Sequence, residues 1–352
     1  MRRFCLVFVL ALGIGTLASL LLAQQSPSAG PYKVLKTAKV GGDGGFDYVY
    51  ADSIGRRLYV PRNGPTGRIT VFDLDTLAPV GEIPNAVGHG VIVDSKSNHG
   101  FLTSSPIVMF DSKTLATIKT IDVQGNPDGI FFDASSQRLY DLSHRAPHVT
   151  VIDTTNGSVV GTIDLGGAPE QGVSDGKGHV YIDVEDKGNI AVIDTKTLAV
   201  TAHYDLTSSG GTCAGLAIDV KNHILFAACR APQTMVILNA DDGKIITALP
   251  IGNGTDGAVF NPNTMEAFSS HADGTLTVIK ENSPTSFVVE QNVQTMVSAK
   301  TLTLDGKTNN IYLIAAAFGP PPAAPPAGTP PGRPLRGQML PDSFSILVVG
   351  KQ

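Results

Sequence analysis

Seven near-equal copies of one short unit run through this 352-residue chain, and few folds accept such a pattern. Three landmarks mark each copy. The first is a small or acidic residue plus Gly ahead of an apolar strand: Gly45-Phe46-Asp47, His89-Gly90, Asp128-Gly129, Gln171-Gly172, Ala214-Gly215, Asp256-Gly257 and a degenerate Ala299-Lys300. Counted from Asp47, the steps are 43, 39, 43, 43, 42 and 43 residues. The second is an aromatic inside a short strand: Tyr59, Phe101, Tyr140, Tyr181, Phe226, Phe268 and Tyr312. The third is an apolar pair ending in Asp or a substitute: Phe72-Asp73, Phe110-Asp111, Ile152-Asp153, Ile193-Asp194, Leu238-Asn239, Ile279-Lys280, with Ile346-Leu347-Val348 as the seventh.

Each unit reads as four short strands. Val149-Thr150-Val151-Ile152 alternates, Asp153 to Gly157 turns on an Asn-Gly pair, and Val159 to Ile163 returns. A four-stranded unit repeating at roughly 40–45 residues is a β-propeller blade. The expected fold is therefore all-β, a seven-bladed β-propeller over residues 32–352. The segment Tyr32 to Gly41 matches the fourth strand of other units, and the chain ends just after its seventh third strand, Ser345 to Val349. The N-terminal strand should thus complete the last blade and close the ring, which removes the open sheet edge.

The run Val149-Thr150-Val151-Ile152-Asp153-Thr154, then Val159 to Ile163 and Gly166-Gly167-Ala168-Pro169, resembles the YVTN-type β-propeller repeat. The whole chain resembles the exported YncE-like proteins of that family. The name-giving tetrapeptide is only approximate here, as in Tyr59-Val60-Pro61-Arg62 and Val180-Tyr181-Ile182-Asp183. The resemblance implies a seven-bladed propeller outside the cytoplasm. It implies no catalytic residues, and fold alone does not supply function.

The N-terminus carries an address. Arg2 and Arg3 precede an apolar run from Phe4 to Leu22, with Ala23 at a plausible cleavage point. Residues 1–23 read as a Sec-type signal peptide, 24–31 as a short linker, and the product as periplasmic or secreted. An uncleaved membrane anchor is the alternative. After cleavage no further apolar segment is long enough to span a membrane. Losing two Arg from 26 basic residues leaves 24 against 31 acidic ones, a formal charge of −7. That balance, without a Lys/Arg run, disfavours nucleic-acid binding.

Export leaves Cys213 and Cys229 in an oxidising compartment. If the hairpin turns around Lys221 with Asp219 opposite His223, inward pairing sets Cys213 opposite Cys229. A disulfide is expected there. It would close a loop of about 15 residues and contribute on the order of 3 kcal/mol.

Propeller topology sorts the remaining polar residues by end. Loops entering the first strands carry Asp43, Asp47, His89, Asp128, Glu170, Gln171, Cys213, Asp256 and Lys300. Loops from second to third strand carry Arg62, Arg68, His144, Arg145, Glu185, Asp186, Lys187, Arg230, His271 and Asp273. All fall at one end, the channel mouth. The far-end turns are rich in Asp, Ser, Thr and Lys, and read as solvated turns that bond their own backbone. Of the mouth residues, Asp47, His89, Asp128, Glu170, Gln171, Asp256, His271, Lys300, Arg62, His144, Glu185 and Arg230 are the ligand-binding candidates.

No reaction motif is present. There is no Gly-x-Ser-x-Gly, phosphate loop, dinucleotide fingerprint, Cys-x-x-Cys or His-x-His. The chain has no Trp, which disfavours a quinone-dependent dehydrogenase. No metal and no cofactor are assigned. The stretch Gly319 to Pro341 holds nine Pro and reads as a loop inserted at the mouth of the last blade. The favoured function is a non-catalytic, monomeric binding or interaction scaffold, with a small ligand or an envelope protein as partner. A hydrolase or lyase of the lactonase kind, acting at the channel mouth, is the alternative.

Overall fold

The structure, a computed structural model, describes residues 29–64, 66–321 and 337–352. The expected signal peptide and most of the expected linker lie outside them, as does the middle of the Pro-rich insertion. Among the described residues, no helix is long and apolar enough to cross a membrane.

Seven four-stranded antiparallel sheets form the ring. Blade I begins at Tyr50–Asp52, II at Val91–Asp94, III at Pro127–Asp133, IV at Pro169–Ser174, V at Cys213–Asp219, VI at Thr255–Asn261 and VII at Leu302–Asp305. In blades I to VI the four strands follow one another in sequence. Blade VII takes three strands from the C-terminal region and its fourth from Tyr32–Lys39, which pairs antiparallel with Ser345–Lys351. The two ends of the chain therefore close the ring, as the repeat pattern predicts.

Burial explains the second landmark. The aromatics Tyr59, Phe101, Tyr140, Tyr181, Phe226, Phe268 and Tyr312 are all buried on second strands. Seven apolar clusters each straddle two neighbouring blades; one joins Leu58 and Phe72 of blade I to Tyr312 and Ile346 of blade VII. Fully burying one such side chain contributes about 1.5–3 kcal/mol, so the ring is held by face-to-face packing of adjacent sheets.

Convergence of the inner strands explains the first landmark. A Cβ on Gly129 would lie 2.5 Å from the Glu170 carbonyl oxygen of blade IV, and one on Gly215 would lie 2.7 Å from the Gly257 backbone of blade VI. Near the axis only glycine allows that approach.

The disulfide is formed between Cys213 and Cys229. Its register differs in detail from the expected one. Asp219 pairs with Ile224, not His223, so the hairpin runs one residue out of the expected phase. A bulge between Cys213 and Gly215 absorbs the offset and restores the Cys213–Cys229 pairing.

The Pro-rich insertion is pinned at its base. Phe318 bridges to Met339, the Gly319 amide donates to Gln338 and the Leu340 amide donates to Ala317.

Candidate functional site

At the mouth, the first strands of blades III to VI all begin with a bulge: Pro127/Ile130, Pro169/Gly172, Cys213/Gly215 and Thr255/Ala258. A bulge re-aims the side chains it contains. Asp128, Glu170, Gln171 and Asp256 sit inside these bulges. Asp128, Glu170 and Asp256 are joined by ion pairs to residues of other blades.

The result is a closed circuit of polar side chains. Asp47 lies 3.0 Å from His89 Nδ1, and that nitrogen lies 3.2 Å from Asp128 Oδ1. The other Asp128 oxygen is 3.3 Å from His144 Nε2, which is 3.1 Å from Glu170 Oε2. Glu170 Oε1 faces Arg230 at 3.9 Å. Arg230 also pairs with Glu185 at 2.5 Å and closely with Asp256. Asp256 pairs closely with Lys300, and Lys300 returns to Asp47 at 3.1 Å. Every blade supplies at least one member. Glu185 comes from a short 3-10 turn, Glu185–Lys187, after the second strand of blade IV.

Two residues span the channel. The Tyr48 hydroxyl, from blade I, donates to Glu170 of blade IV at 3.1 Å from Oε1. The Gln171 Oε1 accepts the Leu216 amide of blade V at 2.8 Å and the Ala258 amide of blade VI at 3.2 Å. Gln171 is thus a strut between inner strands. Tyr48 was not a candidate by sequence: it follows landmark Asp47 and looks like the start of a strand. Only the assembled ring reveals its reach across the axis.

Arg62 and His271 stand apart from the circuit. Arg62 is buried, lies 3.8 Å from the Phe344 ring centre and donates to the carbonyls of Gly41, Gly42 and Gly44. It braces the loop from blade VII into blade I. His271 is fully buried, with Nδ1 3.0 Å from the Thr275 carbonyl in its own turn. Both belong to the predicted loop class, but their loops fold back onto the blade. Arg68, Asp43 and Glu82 form a separate rim cluster.

The circuit is acidic in total. Asp47, Asp128, Glu170, Glu185 and Asp256 face two permanent cations, Arg230 and Lys300, and two imidazoles. The hydrogen bond with Glu170 pushes the His144 pKa up to about 9 against the effect of burial. The bond with Asp47 raises His89 in the same way. Burial raises the Asp128 carboxyl, helped by the Asp47 charge and opposed by both imidazoles. Burial also works to raise Asp47, but His89 and Lys300 outweigh it and hold Asp47 below its ordinary value. Burial and the charges of Glu170, Asp128, Asp47 and Asp256 push the Tyr48 phenol well up, so it remains a donor.

The His89–Asp128–His144 arc also concentrates metal-ligating atoms. Donor atoms of Asp47, His89 and Asp128 lie within 4.8 Å of one another, as do those of Asp128, His144 and Glu170. The sequence places these residues at one end but gives no sign that Asp128 turns one oxygen to each imidazole.

No family profile matches the chain. A curated relative, the uncharacterized protein YncE of Salmonella typhi, is 23% identical over 198 residues, covering 52% of this chain and 54% of the relative. The chain thus spans about half the length of the curated relative it matches. Among solved structures, that of U3-55K matches with a TM-score of 0.70 and 12% identity, covering 91% of this chain and 99% of the other. The RRP9 WD40 repeats match with a TM-score of 0.68 and 12% identity, covering 93% and 99%. At these identities the solved structures establish the fold alone. The weak sequence relation and the near-complete match in fold together support a YVTN-type, YncE-like seven-bladed β-propeller.

Proposed function

We propose that the protein is an exported, non-catalytic binding module that takes a small ligand or a segment of a partner protein at the mouth of its channel. The observation that carries this reading is the closed polar circuit, to which all seven blades contribute. Asp128, Glu170 and Asp256 are buried, so the cost of taking these charges out of water offsets much of what their ion pairs gain, and a full ring of them is a poor device for stability alone. As a recognition surface it is well suited. Its donors and acceptors are held in place by their own network on rigid strands, so a ligand meets little ordering cost. The Cys213–Cys229 disulfide supports an oxidising compartment, in keeping with the signal peptide expected over residues 1–23.

The test is paired native and denaturing mass spectrometry of the full chain purified from its own export compartment. Extra mass in the native spectrum alone, lost in Arg230→Met and Lys300→Met, supports the reading. No retained mass, together with no partner recovered by crosslinking through the mouth residues, counts against it.

A second reading, a hydrolase or lyase at the same mouth, draws on one observation. Asp128 is a buried carboxyl flanked by two half-exposed imidazoles, an arrangement able to move protons. Turnover of a lactone or ester panel that disappears in Asp128→Asn and His89→Gln would replace the binding reading with this one.

A further inference from the structure

We propose that Asp47–His89–Asp128 and Asp128–His144–Glu170 are two adjacent sites for divalent transition-metal ions, with the Asp128 carboxylate as the bridge between them. This deepens the binding reading for one arc of the ring and rests on that arc being accessible from the mouth.

The first ground is the sharing of Asp128. Its Oδ1 is 3.2 Å from His89 Nδ1 and its Oδ2 is 3.3 Å from His144 Nε2. One carboxylate thus addresses two imidazoles with different oxygens, the geometry of a bridging ligand. Each triad then closes with its own terminal carboxylate, Asp47 at 3.0 Å from His89 or Glu170 at 3.1 Å from His144.

The second ground is how the terminal carboxylates are held. Asp47 uses Oδ1 for Lys300, which leaves Oδ2 toward His89. Glu170 uses Oε1 for the Tyr48 hydroxyl, which leaves Oε2 toward His144. Outer hydrogen bonds of this kind orient metal ligands and tune them. Asp128 and Glu170 are buried, so they are not the freely solvated acids of an ordinary protein surface.

The third ground is donor chemistry. One imidazole nitrogen and two carboxylate oxygens per site suit zinc, manganese, iron or cobalt better than calcium or magnesium, which prefer all-oxygen shells. Three protein donors leave a coordination position open on each ion. The imidazoles are half-exposed, 40% and 38% for their side chains, so both sites are reachable from solvent. Three carboxylates and two imidazoles, which bind a metal in their deprotonated form, make up the ligand set of the two dications.

The experiment is a titration of the full chain, stripped with chelator, with Co2+ and Zn2+. Calorimetry and native mass spectrometry give the stoichiometry, and cobalt's visible absorption reports the ligand set. The expected result is two ions per chain. His89→Gln and His144→Gln should each keep one ion, and Asp128→Asn should weaken both sites by about a hundred-fold or more. If Asp128→Asn fails to fold, the two imidazole variants at half-exposed positions carry the test alone. Three surface pairs, His148–Asp164, His179–Asp175 and His223–Asp241, provide the control. Binding that is abolished by H148Q, H179Q and H223Q together and untouched by D128N overturns the proposal. One ion lost equally in both ring variants overturns the two-site assignment. A null titration with a ligand still retained in native spectra overturns the metal sites and leaves the binding reading standing.

Discussion

At the far end of the propeller, Asp111 accepts the amides of Lys113 and Thr114 and the Thr114 hydroxyl, and Asp194 does the same with Lys196 and Thr197. At the mouth, Asp128 faces His89 of the preceding blade, and Asp256 faces Arg230 and Lys300 of its two neighbours. The residue type is the same and the duty is opposite. Far-end acids recur at one position from blade to blade and serve their own turn. Mouth acids differ from blade to blade at equivalent positions and bond sideways around the ring. In a repeat fold, the repeated side chains maintain the unit, and the unrepeated ones carry what the assembly does.

That contrast predicts where substitutions hurt. The largest effect is expected at the Cys213–Cys229 disulfide, which cross-links the first two strands of blade V. Cys213→Ser with Cys229→Ser removes the cross-link over a loop of about 15 residues and should cost about 3 kcal/mol in denaturant unfolding. A loss near zero would mean that packing of blade V against IV and VI is sufficient without the bond.

Next is Arg230→Met. It leaves Glu185, Asp256 and Glu170 facing one another without their common cation. Removing one partner of a largely buried pair costs 3–5 kcal/mol, and partial exposure of Arg230 reduces this to about 2 kcal/mol. The effect should shrink at low pH, where Glu185, whose carboxyl burial already pushes up, takes a proton. A variant as stable as the parent at neutral pH would remove the claim that the ring is mutually supported.

Two buried groups, one at each end, should also respond oppositely to pH. His271, in a turn at the mouth, has its pKa lowered to about 4 by burial, against the Asp273 charge. Below its ordinary value near 6.5 the unfolded chain takes a proton that the folded chain refuses, so stability falls as pH drops from about 6.5 to about 4. Glu281, at the far end, is pushed up to about 7, first by burial and then by Asp219, against the Asn222 hydrogen bond and the Lys221 charge. The Glu281 Oε2 atom is buried without a hydrogen-bond partner, which disfavours its charged form. Here the folded chain keeps a proton that the unfolded chain loses near 4.5, so stability falls as pH rises toward 7. His271→Gln should flatten the acid limb and Glu281→Gln the neutral limb, each by up to about 2 kcal/mol. Thermal melts from pH 4 to 8 read both. Identical profiles in all three proteins would show that neither group is linked to folding.

The fold was legible because seven copies vote on each landmark, and a weak signal repeated at a fixed period becomes a strong one. The mouth was legible only as a list. Topology sets which end a loop occupies but not how far its side chains reach toward the axis. Arg62, His144 and His271 come from equivalent loops, yet Arg62 stacks on Phe344, His271 turns into its own loop and only His144 joins the ring. The local bulges that aim Asp128, Glu170 and Asp256 have no distinct residue signature beyond the following Gly, which strand convergence already demands. One far-end feature was also hidden. Leu77, Leu115 and Leu198 adopt positive φ at the turn position that Gly157 and Gly243 fill in other blades. Leucine there costs roughly 1 kcal/mol in backbone strain. Packing offsets it: a Cβ on Gly81 would meet Leu115, and one on Gly161 would meet Leu198.

The smallest expected effect is the sharpest check on the contrast between the ends. Asp153 bonds the Thr155 amide at 2.8 Å and the Thr155 hydroxyl at 2.5 Å, in the turn between the third and fourth strands of blade III. No other blade depends on it for an ion pair among the described residues. Its turn also has the Gly157 amide bonded to the Asp153 carbonyl and the Asp153 amide bonded to Ser158. Asp153→Ala should therefore cost only about 0.5 kcal/mol, the net value of a solvated side-chain hydrogen bond. For a ring of this size that is a melting shift of about 1–2 °C. It should leave metal titration and ligand retention at the mouth unchanged, since the turn and the circuit occupy opposite ends of the same blade. A shift as large as that of Arg230→Met, or any loss of binding at Asp128, would mean that blade III transmits strain along its strands. The far-end acids would then be part of the site, and the division between repeated and unrepeated residues would fail.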